Sequence, residues 1–429
     1  MHSSNWTVMG TLAGLCLGGV AHAAPEYVQQ PARLATIRDG LSNVFAKLQA
    51  GQEVRIAYFG GSITAADGWR GKTLQWFRER YPAATVVEVN AAIGGTGSDL
   101  GVHRFEQDVL SKKPDLVFVE FAVNDGGSEP INIWRAMEGI IRQAWRQDPS
   151  IDICYVYTMV ADFATDYDKG LFPRATSADE MLAAYYGIPS ISVAYPTTEM
   201  ARAGRLWFTP KRDAEGNEIP PPDGVVIWSD DSVHPRDAGH EIYAQTIQEQ
   251  LAAWEAGAEA KPHELKAPWV DDNWENARLA PLAPAMLTPG WKVMSTTEGL
   301  GATFHDRMPT MWSADVPGER IQFRFRGTAV GLYDLLGPDG AKAIVTIDGE
   351  ARAVDRFDWF CTYHRLAPLW IAADLPAAVH EVTVEISPEQ PDRSPVIDRV
   401  KDEAGYDPKR YDGTRMWVGG IMLIGELVE

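Results

Sequence analysis

The chain has 429 residues, 45% of them hydrophobic and 23% charged, with 15 Trp, 14 Tyr and 14 Phe. That is apolar material for two or three globular domains, and it excludes a disordered chain. Against 39 Lys and Arg stand 59 Asp and Glu, a formal charge of −20 that repels phosphate backbones and anionic headgroups, so neither nucleic acid nor a membrane surface is an expected partner; three cysteines exclude a disulfide-stapled scaffold.

Residues 8–20 are apolar and uncharged and precede Ala21-His22-Ala23, a small-x-small triplet of the kind signal peptidase cleaves, although His2 is the only candidate cation ahead of them. The run is shorter than the roughly 20 residues of a membrane span. It predicts a leader cleaved near Ala23, a periplasmic or secreted protein and no membrane insertion. Cys154 and Cys361 fall in different predicted domains and are expected as two buried free thiols even in an oxidising compartment.

From residue 54 strands and helices alternate. Residues 54–59 are a short apolar strand ending in Gly60-Gly61, followed by a helix over 69–80, a strand over 85–89, a helix over 102–110 and a strand over 115–121. Trp134, Met137, Ile141 and Trp145 then recur at helical spacing. A strand over 151–157, a helix over 178–186, a short strand over 188–193 and a helix from about Pro235 to Trp254 complete the series. Short apolar strands separated by helices imply an α/β domain whose parallel sheet is covered on both faces.

Residues 256–290 are rich in Ala, Pro and charge and read as a linker or a strap across the surface. Beyond them the period changes to two. Ile321, Phe323 and Phe325 interleave with Gln322 and Arg324, 343–347 leads into the hairpin signal Asp348-Gly349, Val382, Val384 and Ile386 alternate again, and 417–427 is a last strand. The expected organisation is a leader over 1–23, an α/β domain over 24–255, a linker over 256–290 and an all-β sandwich over 291–429.

In an open parallel sheet, reactive groups collect at the carboxyl ends of the strands. Three strands here end suggestively: the first runs into Gly60-Gly61-Ser62, the second into the Gly-rich stretch from Asn90 to Gly97, and the third into Asn124-Asp125. The last helix is preceded by Asp230-Asp231-Ser232-Val233-His234-Pro235. Each piece alone has an ordinary reading. Gly-Gly-Ser makes a common βα turn, the Gly-rich loop suits a phosphate as well but lacks a dinucleotide fingerprint, and Asn-Asp caps or turns a chain. Asp-x-x-His caps a helix, and no His, Asp or Glu cluster supports it as a metal site. The combination, in this order and at strand ends, is what carries information.

Together these pieces resemble the sequence blocks of the SGNH (GDSL-like) hydrolase superfamily, over roughly residues 50–255. The resemblance implies a flavodoxin-like, three-layer, doubly wound parallel sheet. It also implies Ser62 as nucleophile, His234 as base and Asp231 as its partner, with Asp230 the rival to Asp231. The oxyanion hole it implies comprises Ser62, Gly95 and Asn124, with Gly94 competing for the place of Gly95. Gly61 stands where the family usually has Asp, and Ala92 where Gly is common; neither makes or breaks a bond in the reaction. The chemistry is consistent. A serine hydroxyl needs a base to become a nucleophile, neutral imidazole supplies one near neutral pH, and a carboxylate three residues earlier fixes the imidazole tautomer. No cofactor or metal is called for.

For the substrate, export of an acidic enzyme favours an extracellular polymer, and the β-domain looks similar to jelly-roll modules attached to carbohydrate esterases. Trp69, Phe163, Tyr167 and Trp228 are candidate stacking platforms for sugar rings, and the charged, Pro-rich stretch 211–224 is unlike the apolar flap of a lipase. Removal of O-acetyl groups from a polysaccharide or oligosaccharide is the expected activity. Glycan O-acetyl transfer, a general short-chain esterase or lipase, and a carbohydrate-binding protein with an inert hydrolase domain are the alternatives. His240, early in the last helix, is expected at the surface.

Overall fold

The computed structural model describes residues 25–256 and 259–428; the leader expected over 1–23 lies outside the described residues. The first sheet contains β1 (Ala35–Thr36), β2 (Glu53–Gly60), β3 (Thr85–Asn90), β4 (Leu116–Glu120), β5 (Asp152–Tyr157) and β6 (Ser190–Ser192) in the order β1-β6-β5-β4-β2-β3. β2 to β6 run parallel, and β1 pairs antiparallel at the edge. Every residue of β4 and β5 is buried, as expected of mainly apolar strands covered on both faces; the two acids among them, Glu120 and Asp152, are hydrogen-bonded.

Among the described residues, nine helices accompany the sheet: α1 (Ser42–Gln49), α2 (Ser62–Ala65), α3 (Trp69–Arg80), α4 (Ser98–Asp108), α5 (Pro130–Gln147), α6 (Ala164–Asp168), α7 (Arg174–Tyr186), α8 (Ala194–Arg202) and α9 (Asp237–Trp254). α4, α5 and α7 pack side by side in one layer, and α3, α8 and α9 in the other. This is the three-layer α/β arrangement expected. The chain leaves β2 toward β3 on one side and returns to β4 on the other, so the strand order reverses at β2. Crevices form at such a reversal, outside the carboxyl ends of the strands. A two-residue ladder, β7 (Leu206–Trp207) with β8 (Val226–Ile227), precedes α9.

Among the described residues, the second sheet has nine strands: β9 (Ala277–Ala280), β10 (Lys292–Val293), β11 (Trp312–Ala314), β12 (Arg320–Leu336), β13 (Lys342–Ile347), β14 (Glu350–Asp355), β15 (Arg365–Ala372), β16 (Ala378–Ile386) and β17 (Met416–Val428). All its named pairs are antiparallel. β12 is shared, its first half pairing with β16 and its second with β15, and β17 runs along both. The β12–β17 register slips at Gly327, where a Cβ would overlap the Ile424 carbonyl. Such a slip bends a long strand and lets one sheet fold over on itself as a sandwich. Asp348 and Gly349 both take positive φ, 50° and 89°, in the two-residue β13–β14 hairpin, as a primed turn demands.

Burial along β12 explains how the domains meet. Its first half alternates, with Ile321, Phe323 and Phe325 inside, whereas Ala329 to Leu336 are all buried. The α/β domain covers the outer face of that second half. Leu100 of α4 joins Met308, Tyr333, Leu335, Leu366 and Trp417 in one apolar cluster. In the stretch read as a linker or a strap, Glu138 of α5 accepts hydrogen bonds from the Trp269 and Val270 amides, and His263 stacks on Trp145 at 4.7 Å. Inside that stretch, β9 adds a strand to β17. Cys154 and Cys361 are buried and free.

Candidate active site

β2 delivers the chain to Ser62, the first residue of α2. The preceding glycines are required by crowding rather than by a left-handed turn. A Cβ at Gly60 would press on the Glu120 carbonyl, and one at Gly61 would overlap Asn124 Oδ1. That accounts for Gly where the superfamily has Asp: in this chain the Asn124 carboxamide lies against residue 61.

Ser62 Oγ lies 2.8 Å from His234 Nε2, and His234 Nδ1 lies 2.6 Å from Asp231 Oδ2. Asp231 Oδ1 accepts from the amides of Val233 and His234, at 2.9 and 2.8 Å, and from Ser229 Oγ at 2.9 Å. Partial burial pushes the Asp231 carboxyl up, but the His234 ring and these other donors outweigh it and hold the group well below the usual carboxylate range. An ionised Asp231 only accepts, so His234 carries its proton on Nδ1 and turns a lone pair on Nε2 toward the serine hydroxyl. The rival Asp230 is bonded instead to Arg236, which also holds Glu218. Within the loop, Ser232 takes φ 70° and its carbonyl accepts from the Ala161 amide at 2.9 Å. A non-glycine residue in that region is strained and persists because its surroundings hold it.

Gly94, Gly95 and Asn124 lie around Ser62. Gly94 faces Ser62, since a Cβ there would sit 3.5 Å from Ser62 Cβ, and Gly95 follows at φ +73° with nothing near its Cβ position. Asn124 begins a short 3₁₀ turn after β4. Beneath these loops lie two buried acids. Glu120 accepts from Thr64 and Thr158, both at 2.7 Å, and Asp125 accepts from the Ser98 amide at 2.9 Å, so each ties one loop to another. Burial pushes both carboxyls up, each to about 7. Among the described residues no group of three His, Cys, Asp or Glu side chains is placed to hold a metal ion.

Three of the four aromatic candidates lie in the core. Trp69 packs edge-on against Tyr58 and Phe118, Trp228 against Phe208, and Tyr167 donates or accepts with Ser192 at 2.9 Å; all three are buried and unable to stack on a sugar. Phe163 is half-buried with its ring edge over Gly126, outside the cleft wall. His240 is buried rather than superficial: its Nδ1 accepts from the Trp69 amide at 3.3 Å, and a Cβ on Gly68 would overlap its ring. The signal was present in α9, where Gly239, His240, Tyr243 and Ile247 share a buried face at helical spacing.

The opposite wall comes from the second domain. A cleft of about 870 Å³ is lined on one side by Ser62, Gly95, Asn124 and His234 and on the other by Phe304, Arg307, Phe360, Tyr363, His364 and Arg365. Trp359, Phe360 and Tyr363 are 51%, 60% and 55% exposed and belong to one short segment, from which Asp358, Phe360, Tyr363 and His364 line the cleft. Periodicity had no means of finding them, because 358–364 lies between strands; its only sequence signal is four aromatic or imidazole rings in seven residues. A groove of about 780 Å³ lined by Glu106, Gln143, Glu275 and Arg278 has no nucleophile and base on its walls.

Residues 58–242 match the model of the GDSL-like lipase/acylhydrolase family. A search of curated proteins finds no match. Among solved structures, a two-domain esterase (CEX) active on acetylated mannans aligns with 22% identity over 93% of this chain and 98% of its own, at a TM-score of 0.70. The same esterase co-crystallised with mannopentaose aligns with 22% identity over 91% and 95%, at a TM-score of 0.69. The likeness spans both domains and is one of fold.

Proposed function

We propose that this chain, a carboxylic ester hydrolase whose residues 58–242 match the GDSL-like lipase/acylhydrolase family, removes O-acetyl groups from a polysaccharide or oligosaccharide by way of an acyl-enzyme on Ser62. The observation that carries the carbohydrate reading is the pair of exposed rings, Phe360 and Tyr363, facing the Ser62–His234 pair across an open cleft. Flat aromatic faces at a solvent-accessible wall suit the apolar faces of sugar rings. A cleft open to solvent suits a chain that extends beyond the ester. The two-domain mannan esterase of like fold adds to this reading.

His234 Nε2 takes the Ser62 proton as Oγ attacks the acetyl carbonyl carbon. The developing oxyanion is received by the Ser62 and Gly95 amides and the Asn124 side chain, and Asp231 stabilises the imidazolium. Collapse breaks the bond to the sugar oxygen, which takes the proton from His234. Water then attacks the acetyl-serine with His234 again as base, releasing acetate and restoring Ser62. With the apolar leader ahead of residue 24, the enzyme works in the periplasm or outside the cell.

The test is acetate release from a panel of acetylated glycans, with para-nitrophenyl acetate and butyrate alongside and Ser62→Ala as control. Ser62-dependent release, with acetate preferred over butyrate, is the expected result, and Ser62→Ala should lose at least about 10³-fold. Preference for longer acyl chains with no glycan turnover would replace this reading with a general esterase. Acetyl appearing on an added sugar acceptor would replace it with transfer.

A further inference from the structure

The loop that carries Gly94 and Gly95 is held by its carbonyls. Four consecutive carbonyl oxygens, those of Asn90, Ala91, Ala92 and Ile93, are all bonded to side chains. Thr96 Oγ1 donates to Ile93 at 2.8 Å, and the buried guanidinium of Arg104 donates to Ala91. The other two are taken by one atom of the second domain: Arg307 Nη2 donates to Asn90 at 3.1 Å and to Ala92 at 3.2 Å. Arg307 is itself fixed, because its carbonyl accepts from Gln107 of α4 at 3.1 Å and the next residue, Met308, is buried in the cluster shared with Leu100.

We infer that Arg307 is a positioning residue for the oxyanion loop, so that the β-sandwich domain takes part in the chemical step and not only in holding glycan. The inference rests on the proposed roles of Ser62 and Gly95. The physical reason is preorganisation. Oxyanion donors act because they are already aimed when charge develops, and a small misplacement forfeits much of their effect. Gly95 supplies no side chain to anchor its own backbone and sits at φ +73°, a conformation that glycine adopts freely. The loop's position is therefore set from its stem, where Arg307 holds two carbonyls on the side facing the second domain.

The experiment uses the full chain and para-nitrophenyl acetate, an ester that carries no sugar. Arg307→Ala and Arg307→Lys are compared with Trp370→Phe, which removes a different interdomain hydrogen bond, that from Trp370 Nε1 to Asp99 at 3.1 Å. The expected result is a kcat about tenfold lower in Arg307→Ala with KM within about twofold, partial recovery in Arg307→Lys, and kcat within about twofold of the parent in Trp370→Phe at a similar thermal midpoint. A purely structural role would lower the midpoint in both sets and leave kcat per folded molecule unchanged, and this outcome overturns the inference. So does a loss confined to KM, which would make Arg307 a substrate contact. An inactive parent enzyme would instead sink the proposed function, so the two failures are distinguishable.

Discussion

On the α/β side of the cleft the groups nearest Ser62 are small and held from beneath: glycines at 60, 61, 94 and 95, with Glu120 and Asp125 buried below them and tied to Thr64, Thr158 and the Ser98 amide. On the β-sandwich side the groups are large, aromatic and exposed, with Phe360 and Tyr363 more than half in solvent. The first wall admits no side chain at Gly60 or Gly61, where added atoms collide with backbone or with Asn124. The second keeps apolar area available at the surface, which a folded protein retains where something binds. Chemistry needs fixed donors, whereas polymer recognition needs accessible area, and under the proposed function the two domains would divide these demands.

The comparison breaks most readily at the base. His234→Ala should lower kcat by about 10⁴-fold or more, and Asp231→Asn by about 10⁴-fold with the fold unchanged, because Nδ1 then has no carboxylate to fix its tautomer. Steady-state rates on para-nitrophenyl acetate with circular dichroism would show this, and full activity in His234→Ala would remove the assignment. Aromatic truncation sharpens the contrast between the walls. Trp69→Ala, in the core, should cost about 3–5 kcal/mol of stability. Phe360→Ala with Tyr363→Ala should leave the melting temperature nearly unchanged and raise KM on glycan roughly three- to tenfold, with no change on para-nitrophenyl acetate. Equal effects on both substrates would mean that the second wall does not read the sugar.

The smallest effect concerns the buried acids. Asp125 is raised to about 7 by burial, against about 4 in the unfolded chain. Between these values the folded state holds a proton that the unfolded state has lost, so this group's contribution to stability is full below about pH 4 and declines as pH rises through 7. Asp125→Asn keeps an acceptor for the Ser98 amide and removes the titration. Its thermal midpoint should fall less than the parent's between pH 5 and 7.5, by about 1–3 °C. Superimposed curves would show that Asp125 is already ionised across that range.

Much of the α/β domain was legible because its strands are short apolar runs bounded by glycine or helical stretches, and these signals are local. The family resemblance, with its three-residue offset, favoured Asp231 over Asp230, and Asp231 lies at the ring of His234. The errors came from residues whose environment is set at a distance. Trp69, Trp228 and His240 stand near site residues in the chain, yet α3 and α9 turn Trp69 and His240 inward, and Trp228 packs beneath the His234 loop, because in each case an apolar partner waits there.

The sequence by itself determined the period of each element, the order of the domains and the chemical types of Ser62, Asn124, Asp231 and His234, since each depends on near neighbours or on residue identity. Only the tertiary structure decided that Gly60 and Gly61 are required by crowding, that 358–364 forms a wall of the cleft, and that Arg307 reaches the carbonyls of Asn90 and Ala92. Those features join segments some 60 to 300 residues apart. Distances between such segments follow from how the second half of β12 is buried against α4, which no local pattern encodes.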